Sequence, residues 1–84
     1  MKEIIHTVSK RQVKIIVEQH PDVYIAYPLG ITGACVSQGY SYDEALAEVK
    51  VMLNGLIELY GDELFEDDDS PVMAAFVEEA TVGV

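Results

Sequence analysis

The segment Gly39–Leu46 constrains the fold most, because it ends a strand and starts a helix within a few residues. Ser41 and Glu44 have the S-x-x-E spacing of a capping box. In such a box the serine hydroxyl accepts the N–H of Glu44, and the glutamate carboxylate reaches back to the N–H of Ser41. Asp43 adds negative charge in the first turn, where the helix dipole favours it, and Gly39 tolerates the backbone angles that a strand exit requires. The segment therefore predicts a helix that starts at residue 42.

The hydrophobic pattern after this start is helical up to residue 60. Gly55 lies inside the pattern at a cost of about 1 kcal/mol relative to alanine, which we interpret as a sign of a close backbone contact. Gly61 follows as a C-cap. The apolar positions predicted to form the buried face are Tyr42, Ala45, Leu46, Val49, Met52, Leu53, Leu56, Ile57 and Tyr60.

Short strands are predicted on both sides of this helix. Three precede it, over residues 13–19, 23–27 and 34–38, and the first two are joined by a turn at His20-Pro21-Asp22. After the helix we expect an acidic loop over 62–69, a short helix over 71–77 and a final strand over 79–84. The order predicts an α+β fold: a small two-layer β-β-β-α-β domain with an antiparallel or mixed sheet and one long helix on one face.

Length and charge set the class of protein. The 84 residues predict a single domain over 1–84, and the one cysteine, Cys35, allows no internal disulfide and fits a reducing cytoplasm. We find no segment with the length of a membrane helix or the pattern of a signal peptide. The net charge is −10, and residues 51–84 hold nine acidic and no basic side chains. This disfavours nucleic acid as a partner and is compatible with either a basic protein partner or a solvated acidic surface.

The second predicted strand indicates an assembly. Residues 23–27 carry no charged side chain on either face, although one helix covers only one face of a sheet. An open antiparallel sheet normally presents polar side chains to water on its other face. We therefore expect that face, with Ile16 on it, to be buried against another subunit or a partner, and we favour a homo-oligomer, a dimer or a tetramer. A half-exposed face rich in tyrosine is the alternative.

No catalytic or metal-binding pattern is found, so we expect no enzyme activity and no cofactor. The acidic run Glu66–Asp69 lacks the alternating ligands and the turn glycine of a calcium loop. Cys35 could pair with His6 or His20 as nucleophile and base, but nothing in the sequence brings them together, and Cys35 fits a small buried residue better. A weak nuclease would need several converging carboxylates, and Glu18 is the only acid in the predicted strands before the helix, with Asp22 in a turn.

Three motifs resemble the HicB-like antitoxin family. They are YIAYPLG at residues 24–30, GACVSQG at 33–39 and SYDEAL at 41–46. The resemblance covers about residues 12–60 and extends more weakly to Ser70-Pro71 and the closing strand. It implies a pared-down RNase H-like core without catalytic acids. The implied function is an antitoxin of a type II toxin-antitoxin system, which neutralises a small basic, mRNA-degrading, HicA-like toxin by masking it. The chain stops before the DNA-binding domain that many members carry, so we expect no direct DNA binding.

The expected partner-binding residues are two tyrosines and the acidic segment. Tyrosine anchors interfaces well, and acidic side chains steer a basic partner. A stand-alone oligomer without a toxin, which binds a small ligand or another protein, remains the alternative function. The predicted partner-binding residues are Tyr24, Tyr27, Glu63, Glu66, Asp67, Asp68 and Asp69.

Overall fold

The computed structural model describes residues 12–66 and 72–83. A three-stranded antiparallel sheet in the order β1-β2-β3 packs one face against a single long helix, which confirms the small α+β fold. The elements are β1 (Ile15–Gln19), β2 (Tyr24–Pro28), β3 (Ser37–Gly39), α1 (Tyr42–Tyr60) and a 3₁₀ turn (Gly61–Leu64). None of the helices in the described part of the chain is long and apolar enough to cross a bilayer.

The first two strands form the predicted hairpin. Ile15 pairs with Pro28 and Gln19 with Tyr24, and the N–H of His20 donates to the carbonyl of Val23 across the turn at 2.8 Å. Proline suits this turn because its fixed φ matches the first central position. The hairpin therefore has the predicted position, with both strands starting one or two residues later than expected.

The third strand is shorter than predicted and ends one residue closer to the helix in sequence. It comprises only Ser37–Gly39, whereas residues 34–36 are unpaired. Ile31 and Cys35 are both buried in the core, whereas residues 32–34 between them are exposed. Gly39 is needed for a different reason than expected: its φ is not positive, but a Cβ there would lie 2.6 Å from the backbone nitrogen of Ala45.

The helix has the predicted bounds, and its N-terminal capping box differs from the predicted one in one hydrogen bond. Ser41 Oγ accepts the N–H of Glu44 at 3.1 Å, as expected. The carboxylate of Glu44, however, accepts the N–H of Tyr40 at 3.1 Å and not that of Ser41, so it reaches one residue further upstream. At the other end Gly61 has a φ of 58° and donates its N–H to Ile57, which confirms the predicted C-cap.

The core lies between the sheet and the helix. Within it, the hydroxyl of Ser37 donates to the carbonyl of Ala45 at 2.7 Å, which satisfies the one buried polar side chain of the described residues. Tyr42 and Tyr60, the two ends of the predicted apolar helix face, are exposed and not buried. The buried hydrophobic residues are Ala26, Ile31, Cys35, Ala45, Val49, Leu53 and Leu64.

Three further predictions are wrong. Gly55 makes no close backbone contact, because a Cβ placed there would meet nothing within 4 Å. Residues 72–83 contain neither the short helix expected over 71–77 nor the strand expected over 79–84, with positions 71 and 84 outside the described residues. A helix of this length is unstable without packing, and a strand requires a hydrogen-bonded neighbour. The predicted acidic loop begins instead with the 3₁₀ turn, after which Phe65 forms an isolated bridge with Ile31.

Candidate protein-interaction surfaces

The sheet has one face that the helix does not cover. The side chains of Ala26 and of its register partners Val17 and Ser37 face the helix. Because side chains alternate along a strand, the residues next to these in each strand point to the opposite face. We call this second surface the open face. Its side chains are partly buried or exposed, and apart from one carboxylate they are uncharged. The open face comprises Ile16, Glu18, Ile25, Tyr27 and Gln38.

A hydrogen-bonded network fixes the polar side of the open face. The hydroxyl of Tyr27 donates to Glu18 Oε2 at 2.9 Å, and His20 Nε2 lies 2.9 Å from Glu18 Oε1. The hydrogen bonds from His20 and from Tyr27 lower the pKa of Glu18 below its usual value. The same carboxylate raises the pKa of Tyr27 because it accepts a hydrogen bond from the phenolic hydroxyl. The network therefore ties the Tyr27 hydroxyl to the Glu18 carboxylate on the open face.

The two tyrosines predicted to bind a partner lie on opposite faces of β2. Tyr24 packs against the hydrophobic core on the helix side, whereas Tyr27 lies on the open face. Side chains three apart in a strand alternate to opposite sides, so the period-2 rule could have separated them from the sequence alone. Tyr27 remains available for an interface, and Tyr24 serves the core.

The acidic segment begins where α1 ends. We call Asp62, Glu63 and Glu66 the acidic end. It is anchored to the loop before β3, because Thr32 N–H donates to the carbonyl of Leu64 at 2.7 Å, and Glu66 N–H to that of Gly30 at 3.1 Å. The predicted partner-binding residues Asp67, Asp68 and Asp69 lie outside the described residues. Hydrogen bonds to the loop before β3 therefore hold the backbone that carries the carboxylates of the acidic end.

A groove of about 400 Å³ opens beside the acidic end. Glu63 lies at it together with the exposed ring of Tyr60, so the groove combines one carboxylate with apolar and aromatic surface. We call it the acidic groove. It is lined by Thr32, Gly33, Ala34, Leu56, Tyr60, Glu63 and Leu64.

In the described part of the chain, the last turn of α1 and the 3₁₀ turn after it contain acidic but no basic side chains. The C-terminus of a helix carries a partial negative charge that a cation normally offsets, yet the last turn of α1 contains no basic residue. Asp62 and Glu63 follow immediately in the 3₁₀ turn. The helix dipole and these carboxylates therefore act together, and a cation from another molecule would be favoured here.

The described residues show no arrangement for catalysis. Cys35 is buried, and burial raises the pKa of its thiol, so it fits the predicted role of a small core residue. The imidazole of His20 is bonded to Glu18 on the open face. His6 lies outside the described residues. No group of three or more His, Cys, Asp or Glu side chains that could hold a metal ion occurs within 12–66 and 72–83.

A second groove runs along β1 and was missed in the sequence analysis. It has a volume of about 540 Å³ and is lined by residues 16–19, Tyr27 and residues 75–77. We call it the β1 groove, and we call residues 72–83 the C-terminal arm. The sequence pattern predicts a short helix over 71–77 and a strand over 79–84 in this part of the chain, and it does not predict the groove. The pattern also does not predict that the side chains of the C-terminal arm are exposed.

Comparisons with protein-family models, with curated proteins and with solved structures found no match to this chain.

Proposed function

We propose that this chain is an antitoxin-like protein-binding module. Its partner would be a small basic protein, a HicA-like toxin that degrades mRNA. The chain would neutralise this partner by covering its active surface. Masking requires only affinity and shape, so the chain itself contributes no chemistry. In this proposal it acts in the cytoplasm, binds no DNA directly, and has the pared-down RNase H-like core that the three motifs imply.

The acidic end is the observation that carries the proposal. It places carboxylates from Asp62, Glu63 and Glu66 next to the negative end of α1, whose last turn contains no basic residue. Such a surface attracts basic proteins from a distance and repels nucleic acid. The net charge of −10 for the whole chain acts in the same direction.

The acidic groove supplies the short-range part of the interface. An arginine or lysine of the partner would extend along Leu56 and Tyr60 and place its charge beside Glu63. The aliphatic stem of such a side chain packs on apolar surface while its head stays with the carboxylate. The ring of Tyr60 also offers a π-face to the cation. This combination favours a basic protein over a small inorganic cation.

Purification of the tagged chain from its own source, followed by mass spectrometry, tests the proposal. We expect a small basic protein in stoichiometric amount. With the recombinant partner, association should slow steeply as ionic strength rises, because screening weakens steering between exposed charges. Expression of the partner alone should arrest growth, and co-expression of this chain should restore it.

A matched pair of variants separates the acidic end from net charge. The double variant Glu63→Gln/Glu66→Gln should reduce the association rate. The control Asp22→Asn/Glu48→Gln removes the same two charges from the hairpin turn and the middle of α1, and should have a smaller effect. Equal effects of the two variants would refute a localised site. Recovery of the chain alone, or of an acidic partner, would refute the proposal and favour a stand-alone domain.

A further inference from the structure

The C-terminal arm exposes apolar side chains next to its own sheet. Phe76 is 89% exposed and Val77 96% exposed, although both lie at the β1 groove. Residues 16–19 and Tyr27 line the same groove, so the arm and β1 are neighbours across a space of about 540 Å³. The described part of the arm has no secondary structure. The arm therefore lies beside β1 without packing against it.

The backbone of β1 has a free edge beside this groove. β1 is an edge strand of the sheet and, among the described residues, pairs only with β2. The N–H of His20 donates to the carbonyl of Val23, so His20 is one of the residues that bond across the hairpin. In an antiparallel pair every second residue does so. The backbone groups of Ile16 and Glu18 are therefore directed at β2, and those of Val17 are directed away from it.

The arm has the composition of a strand that fits this edge. Residues 72–83 contain no proline, so every backbone N–H of the arm can donate a hydrogen bond. Residues 75–77, Ala-Phe-Val, carry no charge. The one carboxylate at the groove, that of Glu18, is already bonded to Tyr27 and His20. Pairing of the arm with β1 therefore buries apolar side chains and leaves the hydrogen bonds of this carboxylate in place.

We propose that the C-terminal arm is a strap that closes on its own sheet, with residues 75–77 added to β1 as a fourth strand that is hydrogen-bonded to Val17. Closure fills the β1 groove and removes Phe76 and Val77 from water, and this apolar burial drives it. It also covers a strand edge that would otherwise pair with other chains. The edge beside Ile16 is then covered without a second subunit, and a partner that pairs with β1 must first displace the strap.

The strap is independent of the proposed function. It uses β1 and the arm, and it uses no residue of the acidic end or of the acidic groove. A variant that prevents closure should therefore leave the association with a basic partner unchanged, and the charge variants of the acidic end should leave the strap unchanged. A failure of one proposal can thus be told apart from a failure of the other.

Amide hydrogen exchange, measured residue by residue by NMR on the full chain, tests the strap. We expect the Val17 amide to exchange at least about ten-fold more slowly in the wild type than in Phe76→Asp, which places a charge where the strap packs. The amides of Ile16 and Glu18 bond to β2, so they should exchange equally in both chains and show that the sheet is intact. The control Val51→Asp introduces the same charge at an exposed apolar position of α1 and should leave Val17 unchanged.

Two outcomes of this measurement would overturn the proposal. The first is a Val17 amide that exchanges equally fast in the wild type and in Phe76→Asp. The second is protection of Val17 that falls on dilution, because a contact within one chain does not depend on protein concentration. In that case a second copy supplies the strand.

A short thiol cross-linker tests which chain supplies the strap. In the double variant Ile16→Cys/Val77→Cys it should join the two cysteines within one chain, because both positions line the β1 groove, and the product should keep the mass of a single chain of about 9.3 kDa. The control Val51→Cys/Val77→Cys should not cross-link internally. The native Cys35 is buried and present in both variants, so it does not distinguish them. Cross-links only between chains, or equal internal cross-linking of the two variants, would overturn the proposal.

Discussion

Replacing Gly39 with alanine should destabilise the fold strongly, because β3 and the start of α1 meet at this residue. The added Cβ would lie 2.6 Å from the backbone nitrogen of Ala45 and 3.0 Å from the carbonyl carbon of Glu44. Restoring an ordinary contact of 3.4 Å requires a shift of about 0.8 Å (3.4 minus 2.6). The obstacle is backbone and not a flexible side chain, so the strand and the helix must move apart. Overpacking of this kind costs about 1–3 kcal/mol.

We expect a loss of about 2 kcal/mol in the free energy of unfolding for Gly39→Ala, which for a chain of this size lowers Tm by about 10 °C. Equilibrium urea denaturation at one fixed protein concentration measures it. The control is Gly55→Ala, where the Cβ meets nothing within 4 Å and alanine favours the helix by about 1 kcal/mol. A Gly39→Ala chain as stable as the wild type would refute the close contact at Gly39, and a destabilised Gly55→Ala chain would refute the open space at Gly55.

Three further predictions concern single side chains. Ser41→Ala removes the cap acceptor for the N–H of Glu44 and should cost about 1 kcal/mol of unfolding free energy, measured by urea denaturation; an unchanged midpoint would contradict this role. Cys35 should react with a thiol reagent at least about ten-fold more slowly in the native chain than in denaturant, because its thiol is buried; equal rates would contradict the core assignment. Glu18 has a lowered pKa in the fold, so its contribution to stability is present above its unfolded pKa and is lost as the pH falls through the folded value. The wild type should therefore lose more stability on acidification from about pH 5 to about pH 3 than Glu18→Gln does, and equal losses would show that the bonds to Tyr27 and His20 contribute nothing.

The sequence predicts the elements whose signals are local. The cap at Ser41, the apolar period up to residue 60 and the stop at Gly61 together define α1 with its observed bounds. The turn at Pro21 similarly predicts the first hairpin. In each case the residues that decide the structure lie within a few positions of each other, so no knowledge of the tertiary contacts is needed.

The predictions that fail depend on distant contacts. A strand over 79–84 was expected from alternation alone, but the described part of that segment has no paired neighbour, and alternation does not supply one. Gly55 was expected to touch backbone and touches nothing, whereas Gly39 makes the close approach. The network of Glu18, Tyr27 and His20 is set by the register of the hairpin, which the sequence alone did not specify.

The acidic groove could not be predicted for the same reason. Thr32 and Leu56 are far apart in sequence, and they line one groove only because the loop before β3 is bonded to Leu64. The acidic composition that surrounds the groove was visible in the sequence. The position of these acidic side chains at the negative end of α1 became visible only once the ends of the helix and of the 3₁₀ turn were known.

Inhibition of RNA cleavage tests the central claim most directly. The basic partner is incubated with RNA while the purified chain is added in increasing amounts. The account predicts that cleavage falls to zero near one equivalent of chain, and that Glu63→Gln/Glu66→Gln requires a larger excess than Asp22→Asn/Glu48→Gln. Cleavage that continues unchanged at a saturating excess of the wild-type chain would contradict the account.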